Sequence, residues 1–356
     1  MNAAIGPAGP ADRADWDAFL ATRPEGDILQ LWAWGEVRGR TGEPAARILA
    51  RGPSGAILGI AQALVRPTML GRTVLYVPHG PVWDRSAADA PAILAALVGG
   101  LRDLARDRHG IVVKVDPRAL PGPTAGAGSQ ALAGELVDLG LRPARFDLQA
   151  RRTSLVELDA ERGARRTAWS GSARNRASRA AREGTTTAVS RSVDDAAIDD
   201  FVALLAGTAG RGGVRTPSGA FLRDLAAAFV PGAGWYLAVA RAAGRPIAGM
   251  AVLRLADRAY YLYGALDRAA PPHSYGAYAA MAAIFAAIAA DGVRTFDLWG
   301  VDDPDDRRAD PTWAGFGAFK RQFGGEDLRH PGTFDLVVDP VVWLARDLRE
   351  RLVGRR

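Results

Sequence analysis

The sequence predicts an α/β (α+β) protein built from two similar domains. The chain has 356 residues, and a length above about 250 to 300 residues usually means more than one domain. Residues 48–65 and 237–255 resemble one another at an offset near 190. In both halves a hairpin is followed by a helix, a further strand and an Asp-Pro step. We therefore predict an internal duplication.

The repeat begins with two strands around a glycine turn. ILARGPSGAILGIAQALV (48–65) and LAVARAAGRPIAGMAVLRL (237–255) both alternate apolar and small residues, the period of a strand. Five identities recur at a separation of 190 positions: Ala50 and Ala240, Arg51 and Arg241, Ile57 and Ile247, Gly59 and Gly249, Ala61 and Ala251. Five matches in one frame indicate duplication.

A helix follows each hairpin. APAILAALVGGLRDLARDRHG and SYGAYAAMAAIFAAIAADG carry apolar residues at helical spacing, and we expect the helices to end at Gly110 and Gly292. The strands IVVKVDP and VRTFDLWGVDDP come next. A strand, a crossover helix and a parallel strand form an α/β unit.

The region between the halves is rich in Gly, Pro and Ala. PGPTAGAGSQALAG (121–134) is predicted to be a loop. A short helix and the strand TSLVEL follow it, so we place the domain boundary near residue 159. The last segment, FDLVVDPVVWLARDLRERLVGRR, is predicted to form a strand and an amphipathic helix outside the repeat.

Composition excludes several kinds of site. The chain has no cysteine, which excludes disulfides, thiolate zinc sites and a cysteine nucleophile. Four histidines, at 79, 109, 273 and 330, lack ligand spacing, so we expect neither a metal nor a cofactor. The formal charge of +6 favours polyanionic partners such as tRNA, phosphates or an anionic membrane surface.

No apolar run reaches the roughly 18 to 20 residues of a membrane span. The first residues, MNAAIGPAGPADRADWD, also lack the pattern of a signal peptide. We therefore expect a cytoplasmic protein.

Lysine is rare in this chain. The basic residues are almost all arginine, with lysine only at Lys114 and Lys320. An ammonium is a compact donor whose pKa can be tuned, whereas a guanidinium stays charged. Each remaining lysine is therefore a candidate functional residue, although chance retention explains a lysine equally well.

Several ordered motifs resemble those of one family. They are ILQLWAWGEVRGR (28–40), YVPHGPVWD (76–84), VKVDP (113–117), the arginine-rich helix that ends in REG, YYLYGA, FDLWGV and GFGAFKRQFGGE (315–326). This ordered set resembles the Fem family of peptidoglycan-bridge aminoacyltransferases, and it spans nearly the whole chain. The resemblance implies two tandem GNAT-like acyltransferase domains. It also implies that the C-terminal tail packs on the first domain, giving domains of 1–158 with 334–356 and of 159–333.

The resemblance implies a reaction as well. An amine of a peptidoglycan stem peptide attacks the aminoacyl ester of a charged tRNA, and no nucleoside triphosphate is consumed. The partners would be aminoacyl-tRNA and a muropeptide precursor that is either lipid-linked or UDP-linked. Such substrates favour loose attachment to the inner face of the membrane, by charge rather than insertion. The sequence has no GxSxG elbow for an acyl-enzyme.

The family's site residues are carried over position by position. Lys320, beside Phe319, matches the pair at the reaction centre and would donate to the oxyanion. Arg38, Arg211, Arg215 and Tyr263 match or lie near substrate-binding positions, where Arg38 replaces the family's usual lysine. Tyr261 and Tyr263 can also simply line one buried face of a sheet. Asp116 either accepts the amine's proton or caps the following turn, and the turn role is favoured.

A basic stretch is the candidate tRNA contact. Residues 151–191 hold ten arginines against four acids. Within them, Arg174, Arg176, Arg179 and Arg182 lie on two or more faces of a predicted helix, which suits phosphate contacts and simple solvation equally.

Three alternatives stay open. An acetyl-CoA-dependent GNAT enzyme would need a glycine-rich pyrophosphate loop, but RAAPPHSYGAY precedes the second main helix and contains two prolines without amide donors. A relative could use charged tRNA on another acceptor, such as a peptide antibiotic intermediate. A non-catalytic scaffold that binds RNA or membrane is the third.

Overall fold

The computed structural model describes residues 3–122, 125–158, 168–209, 216–303 and 314–353. The chain divides into two compact units, Met1–Arg151 with Arg329–Arg356, and Arg152–Leu328. The strands are β1 (Ala4–Pro7), β2 (Ala45–Arg51), β3 (Ile57–Pro67), β4 (Thr73–Val77), β5 (Val82–Trp83), β6 (Gly110–Val115), β7 (Arg142–Pro143), β8 (Arg152–Glu157), β9 (Thr186–Ser190), β10 (Trp235–Ala242), β11 (Arg245–Leu255), β12 (Arg258–Leu266), β13 (Thr295–Gly300), β14 (Glu326–Arg329) and β15 (Phe334–Val337). The α-helices are α1 (Arg13–Ala21), α2 (Trp32–Arg40), α3 (Ala90–Asp107), α4 (Ala125–Asp138), α5 (Gly171–Arg182), α6 (Asp195–Ala209), α7 (Gly219–Phe229), α8 (Gly276–Ala290), α9 (Ala314–Lys320) and α10 (Pro340–Val353).

The first unit is built on a mixed sheet in the order β1-β2-β3-β4-β6-β15-β7, with β5 paired to β3. β4 and β6 run parallel, and α3 connects them as the predicted crossover helix. One face of α3 carries Ile93, Leu94, Leu97, Val98 and Leu101, all buried against the sheet. This spacing places the apolar side chains on one stripe of the helix.

The second unit repeats this plan in a sheet of order β14-β8-β13-β12-β11-β10-β9. β12 and β13 run parallel, and α8 is the crossover helix. Ala280, Met281, Ile284 and Phe285 of α8 are buried in the core on one side of the sheet. The predicted architecture of two similar α/β units is therefore confirmed.

The two hairpins differ by one residue in their turns. In β2–β3, Gly52 pairs with Ala56 across a three-residue turn, whereas Ala242 pairs directly with Arg245 in β10–β11. The two-residue turn has positive φ at Ala243 (49°) and Gly244 (78°), as a tight hairpin requires.

The shorter turn changes how the repeat aligns. Ala50 and Ala240 both precede a bulge, so the offset of 190 holds on the first strand. On the second strand, the offset of 190 is wrong by one position. A shift of one residue along a strand moves a side chain to the opposite face of the sheet. Gly59 accordingly faces Leu97 of α3, whereas Gly249 faces Phe201 of α6.

The predicted helix ends are confirmed at one of the two glycines. α8 stops at Ala290, and Gly292 takes the left-handed φ of 78°, the usual role of a glycine after a helix. At the end of α3 it is His109 that is left-handed, with φ of 52°. Gly110 instead begins β6, where a Cβ would lie 2.9 Å from the backbone oxygen of Ala105. Glycine is required at position 110 because a side chain would not fit against Ala105.

The prediction of a loop over 121–134 is wrong for most of that stretch. α4 begins at Ala125, within it. Leu132 and Leu136 are buried on the helix, while an added Cβ at Gly126 or Gly128 would meet nothing within 4 Å. Burial of the leucines outweighs the low helix propensity of the glycines.

The C-terminal segment joins the first unit, as predicted. β15 pairs antiparallel with β6, so Phe334 lies opposite Val115. α10 follows, capped by Asp339, whose Oδ1 accepts from the Val342 amide at 3.1 Å. Among the described residues, no helix combines the length and the apolarity that a membrane span requires.

Candidate functional site

The Lys320 side chain is buried at the end of α9, with 8% of its surface exposed. Its Nζ donates a hydrogen bond to the carbonyl oxygen of Gly300, at the end of β13, over 2.7 Å. The same nitrogen lies 4.9 Å from the centre of the Tyr261 ring. The carbonyl hydrogen bond and the cation–π contact with Tyr261 together fix the position of the amine.

Burial sets the charge state of this amine. It lowers the pKa of Lys320 to about 8, and the nearby carboxylate of Asp297 opposes the shift. Asp297 is itself buried and accepts from the amide of Trp299 at 2.7 Å and from the hydroxyl of Thr153. The lysine is therefore mainly an ammonium at neutral pH, yet it can release its proton within the physiological range.

Phe319 belongs to an aromatic wall beside Lys320. Its ring packs edge-to-face against Tyr278 at 5.2 Å and Phe323 at 5.0 Å between centres. The Tyr278 hydroxyl donates to Oε1 of Gln322 at 3.1 Å and accepts from Arg176. The structure thus links Phe319 to one of the arginines that the sequence assigned to tRNA.

The tyrosine beside the lysine is Tyr261. In the pairing of β11 with β12, Val252 lies opposite Tyr261 and Ala251 opposite Tyr263, which leaves Leu262 as a bulge. Adjacent residues of β11 face opposite sides, so Tyr261 and Tyr263 do as well. The alternative that both line one buried face is therefore wrong. An added Cβ at Gly264 would lie 1.9 Å from the Tyr261 hydroxyl oxygen, so glycine makes room for that ring.

The arginines of α5 lie on the faces of the helix outside its buried alanine stripe. Ala173, Ala177 and Ala180 face the core. Arg174 and Arg182 are exposed, and Arg174 donates to the carbonyl of Trp169 at 2.5 Å. Arg179 pairs with Glu183 at 3.1 Å, and its guanidinium lies 5.9 Å from the centre of the Tyr275 ring.

A second polar cluster lies in the first unit, around Asp116. This carboxylate, at the end of β6, accepts from the Tyr76 hydroxyl at 2.8 Å and from the His79 amide at 2.6 Å. Burial raises the pKa of Asp116 to about 6. The amide contact fixes the turn after β4, where His79 has a φ of 49°. Asp116 therefore supports the turn after β4, which is not the turn directly after Asp116 that the sequence predicted.

Asp27 holds the rest of this cluster together. It is fully buried, accepts from Arg118 at 2.6 Å and from the amide of Leu29 at 2.9 Å, and lies 3.0 Å from Nδ1 of His79. These partners outweigh burial and hold the pKa of Asp27 far below its usual range. His330 lies alongside, its ring centre 6.0 Å from that of His79, and burial drives its pKa well below normal.

Comparison with known proteins gives matches in sequence and in fold. Residues 171–315 match the family described as "Acetyltransferase (GNAT) domain". Lipid II:glycine glycyltransferases of Staphylococcus aureus are 38% identical (strain MRSA252) and 37% identical (strain USA300) over 102 residues. Those residues are 28% of this chain and 23% of the relatives, so the match spans about a quarter of their length.

Solved structures match over nearly the whole chain. The crystal structure of FemX has a TM-score of 0.79 at 19% identity, covering 96% of this chain and 99% of that one. The chain has a tandem GNAT-like fold of the kind seen in FemX. A tandem GNAT protein from the clavulanic acid biosynthesis pathway is also similar, with a TM-score of 0.57 at 13% identity over 95% of this chain and 99% of that one. The family resemblance and the fold class predicted from the motifs are thereby confirmed.

Within this Fem-type fold, Arg38 makes its own contacts in the first unit. Arg38, in the last turn of α2, forms an ion pair with Glu43 at 2.7 Å, and Glu43 also pairs with Arg66 at 3.3 Å. Arg211 and Arg215 lie outside the described residues. Lys320 and Phe319 belong to the second unit, and Asp116 and Arg38 to the first.

Sequence reasoning missed the buried cluster of the Fem-type first unit. Asp27, His79, Arg118 and His330 are far apart in the chain, and the histidines were judged only by metal-ligand spacing. The available signal was local: His79 lies in YVPHGPVWD, and Arg118 follows the Asp-Pro step of VKVDP. Charged residues next to buried strand ends are candidates for such a cluster.

Proposed function

We propose that this protein is an aminoacyltransferase that uses aminoacyl-tRNA to extend the stem peptide of a peptidoglycan precursor. The observation that carries the proposal is the buried Lys320 ammonium, held by the Gly300 carbonyl and faced by Tyr261 in a GNAT-like unit. The names of the Staphylococcus aureus relatives support the substrate class, because they are glycyltransferases that act on lipid II.

The reaction makes limited demands on the protein. A free amine of the stem peptide attacks the ester carbonyl of the aminoacyl-tRNA, and the carbonyl oxygen gains negative charge. The C–N bond then forms fully as the C–O bond to the ribose breaks, and a proton from the amine ends on the ribose oxygen. Because the ester is already activated, positioning and charge stabilisation provide most of the catalysis.

Lys320 would supply the charge stabilisation. Its pKa of about 8 keeps it an ammonium at neutral pH while making its proton easier to release than that of an ordinary lysine. In the ammonium form it donates to the oxyanion. It can pass that proton to the departing ribose oxygen and regain one from the attacking amine, so the lysine ends the reaction as an ammonium. Phe319, next to Lys320 in the chain, packs edge-to-face on Tyr278 and would line the site with aromatic surface.

The basic helix α5 would bind the tRNA. The guanidinium of Arg176 lies 5.2 Å from the centre of the Tyr278 ring and donates to its hydroxyl. Tyr278 contacts Phe319 in turn, so this arginine is one side chain removed from the aromatic wall. Arginines beside aromatic rings suit a single-stranded RNA end, which offers phosphates and stackable bases.

Acetyl-CoA is the alternative donor, favoured by the name of the matched domain family. GNAT enzymes of that kind bind pyrophosphate with backbone amides at a helix N-terminus. Here, Pro271 and Pro272 have no amide hydrogen. The amides of Ala269, Ala270 and Ser274 donate to oxygens of the same loop. The loop before α8 therefore offers few free donors to a pyrophosphate, which favours aminoacyl-tRNA as the donor.

The test is a transfer assay with separate donors. The protein is incubated with a lipid-linked or a UDP-linked muropeptide, together with tRNA charged with radiolabelled amino acids. Labelled muropeptide supports the proposal, and the preferred acceptor shows which carrier is used. Label transferred from acetyl-CoA but not from tRNA would identify an N-acetyltransferase. Transfer only to an amine that is not part of a muropeptide would show that the enzyme uses another acceptor, such as a peptide antibiotic intermediate.

A further inference from the structure

The last helix of the first unit, α10, exposes its apolar face. Val341, Leu344 and Leu348 are 78%, 52% and 50% exposed, at positions i, i+3 and i+7 of one stripe. The opposite face packs on the unit through Trp343, whose Nε1 donates to Asp335 at 3.2 Å. Arg346, on that same side, is half-buried. A surface helix normally has the reverse arrangement, with its apolar stripe toward the core.

A second apolar projection lies in the turn between β3 and β4. Met69 is 71% exposed and Leu70 is 95% exposed. Leu70 also has a left-handed φ of 59°, which is unfavourable for a bulky residue. The turn is nevertheless closed, because the amide and the hydroxyl of Thr68 both donate to the Arg72 carbonyl, at 2.7 and 2.9 Å. It therefore presents Leu70 to solvent in a defined position.

An ion pair joins these two features. Arg72, directly after the turn, binds the carboxylate of Asp339, directly before α10. The exposed turn and the start of the exposed stripe are thus held close together within one unit. We call this surface the apolar docking surface; it consists of Met69, Leu70, Val341, Leu344 and Leu348.

The charge of the adjoining segment selects the partner. Residues 340–356 contain five arginines against two acids, a formal balance of +3. A second copy of the chain bound at this surface would bring a second segment of the same positive charge, and like charges repel. An anionic lipid surface instead attracts the basic segment and accepts apolar side chains without requiring a complementary shape.

We propose that the apolar docking surface inserts shallowly into an anionic lipid bilayer. The side chains of the turn and of α10 would enter the interface between headgroups and acyl chains. Attachment would then depend on insertion as well as charge, unlike the purely electrostatic attachment expected from the sequence. The inference goes beyond the transfer reaction, because it concerns lipid binding without substrates.

Vesicle sedimentation tests the inference. The full chain is mixed with vesicles of phosphatidylcholine alone or of phosphatidylcholine with phosphatidylglycerol. We expect sedimentation with the anionic vesicles, weakened by added salt but not abolished. The variant Leu70→Asp/Leu344→Asp/Leu348→Asp should lose at least about tenfold in apparent affinity, since acidic groups resist insertion and repel anionic headgroups.

The matched control is Val137→Asp. Val137 lies on α4 of the same unit and is 49% exposed, so this variant should bind vesicles like the unsubstituted protein. If the triple variant does not fold, Leu70→Asp alone should show a smaller loss in the same direction. A wild-type protein that stays in the supernatant, or equal losses in the control, would overturn the proposal. So would a lipid-free dimer that the triple variant turns into monomers.

Discussion

The Nζ of Lys320 lies 2.7 Å from the carbonyl oxygen of Gly300, and this contact fixes the amine at the end of β13. The ammonium uses one of its three hydrogens there and faces the Tyr261 ring at 4.9 Å. The proposed chemistry requires one of the remaining hydrogens to reach an oxygen of a substrate. The proposed chemistry rests on this geometry.

The pH dependence of transfer should show an alkaline limb near pH 8. Lys320 loses its proton as the pH rises through its pKa of about 8, and the donor to the oxyanion is lost with it. In Lys320→Arg the guanidinium stays charged, so residual activity should lack this limb. The measurement is kcat/KM against pH for both proteins, because that ratio reports the pKa of the ligand-free enzyme. An alkaline limb of the same position in the arginine variant would assign it to another group.

Lys320→Met should stabilise the fold below pH 8. The pKa of Lys320 falls from 10.5 to about 8 on folding. This shift corresponds to a cost of about 3 kcal/mol in folding free energy for burying the charged amine. Loss of the Gly300 hydrogen bond offsets about 1 kcal/mol, so we expect a net gain of about 2 kcal/mol in the free energy of unfolding.

The gain should shrink between pH 8 and 10.5. The unfolded chain holds the proton in this range while the folded protein releases it, so the stability of the unsubstituted protein rises with pH. Urea unfolding at several pH values measures this trend. A destabilised methionine variant at pH 7 would show that the ammonium is bound more favourably than its burial implies.

The two buried aspartates of the first unit should respond differently to amidation. Asp27→Asn leaves Arg118 buried without its carboxylate, so we expect a loss of about 3 kcal/mol in unfolding free energy at pH 7. Asp116→Asn removes a charge that burial disfavours and keeps one acceptor for Tyr76 or the His79 amide. The net effect should lie within about 1 kcal/mol. Urea unfolding of both variants makes the comparison.

The pH trend of Asp116 has a defined sign. Its pKa is raised from 3.8 to about 6, so its contribution to stability is complete below pH 3.8 and is lost as the pH rises through about 6. The free energy of unfolding of Asp116→Asn, relative to that of the unsubstituted protein, should therefore be lowest under acid conditions. Transfer by this variant also separates its roles, because a proton-accepting group is essential whereas a turn residue is dispensable.

Much of the fold could be predicted because its signals are local. The hairpins, crossover helices and final strand with helix are marked by apolar periodicity and by glycine or Asp-Pro steps. The helix α4 was missed because burial of Leu132 and Leu136 depends on distant strands. The repeat was aligned one residue out on its second strand because Ala243 and Gly244 form a shorter turn than the first hairpin has.

The candidate site was predictable only in part. Lys320 and Phe319 stood out by lysine rarity and by the resemblance, and their aromatic neighbours follow from the packing of α8 and α9. Tyr261 was not distinguished from Tyr263, since a bulge at Leu262 cannot be read from alternation. The cluster around Asp27 joins residues as far apart as 27 and 330, which only tertiary structure brings together.

Arg176→Ala should weaken tRNA binding and reduce its salt dependence. Loss of one phosphate contact lowers the slope of log K against log salt by about 1. The control is Arg223→Ala, because Arg223 lies on α7 and pairs with Asp195 and Asp199. Filter binding of charged tRNA across a salt series measures both slopes. Equal slopes for Arg176→Ala and the unsubstituted protein would remove Arg176 from the RNA contact.

The most direct test of the central claim is transfer of a labelled amino acid from charged tRNA to a muropeptide by Lys320→Ala. Loss of one preorganised donor to an oxyanion lowers kcat by about 10²- to 10³-fold, and we expect such a loss with unchanged tRNA binding. Lys114→Arg, which keeps a cation beside Asp335, should retain full transfer. Transfer by Lys320→Ala at the rate of the unsubstituted enzyme would contradict the assigned role of Lys320.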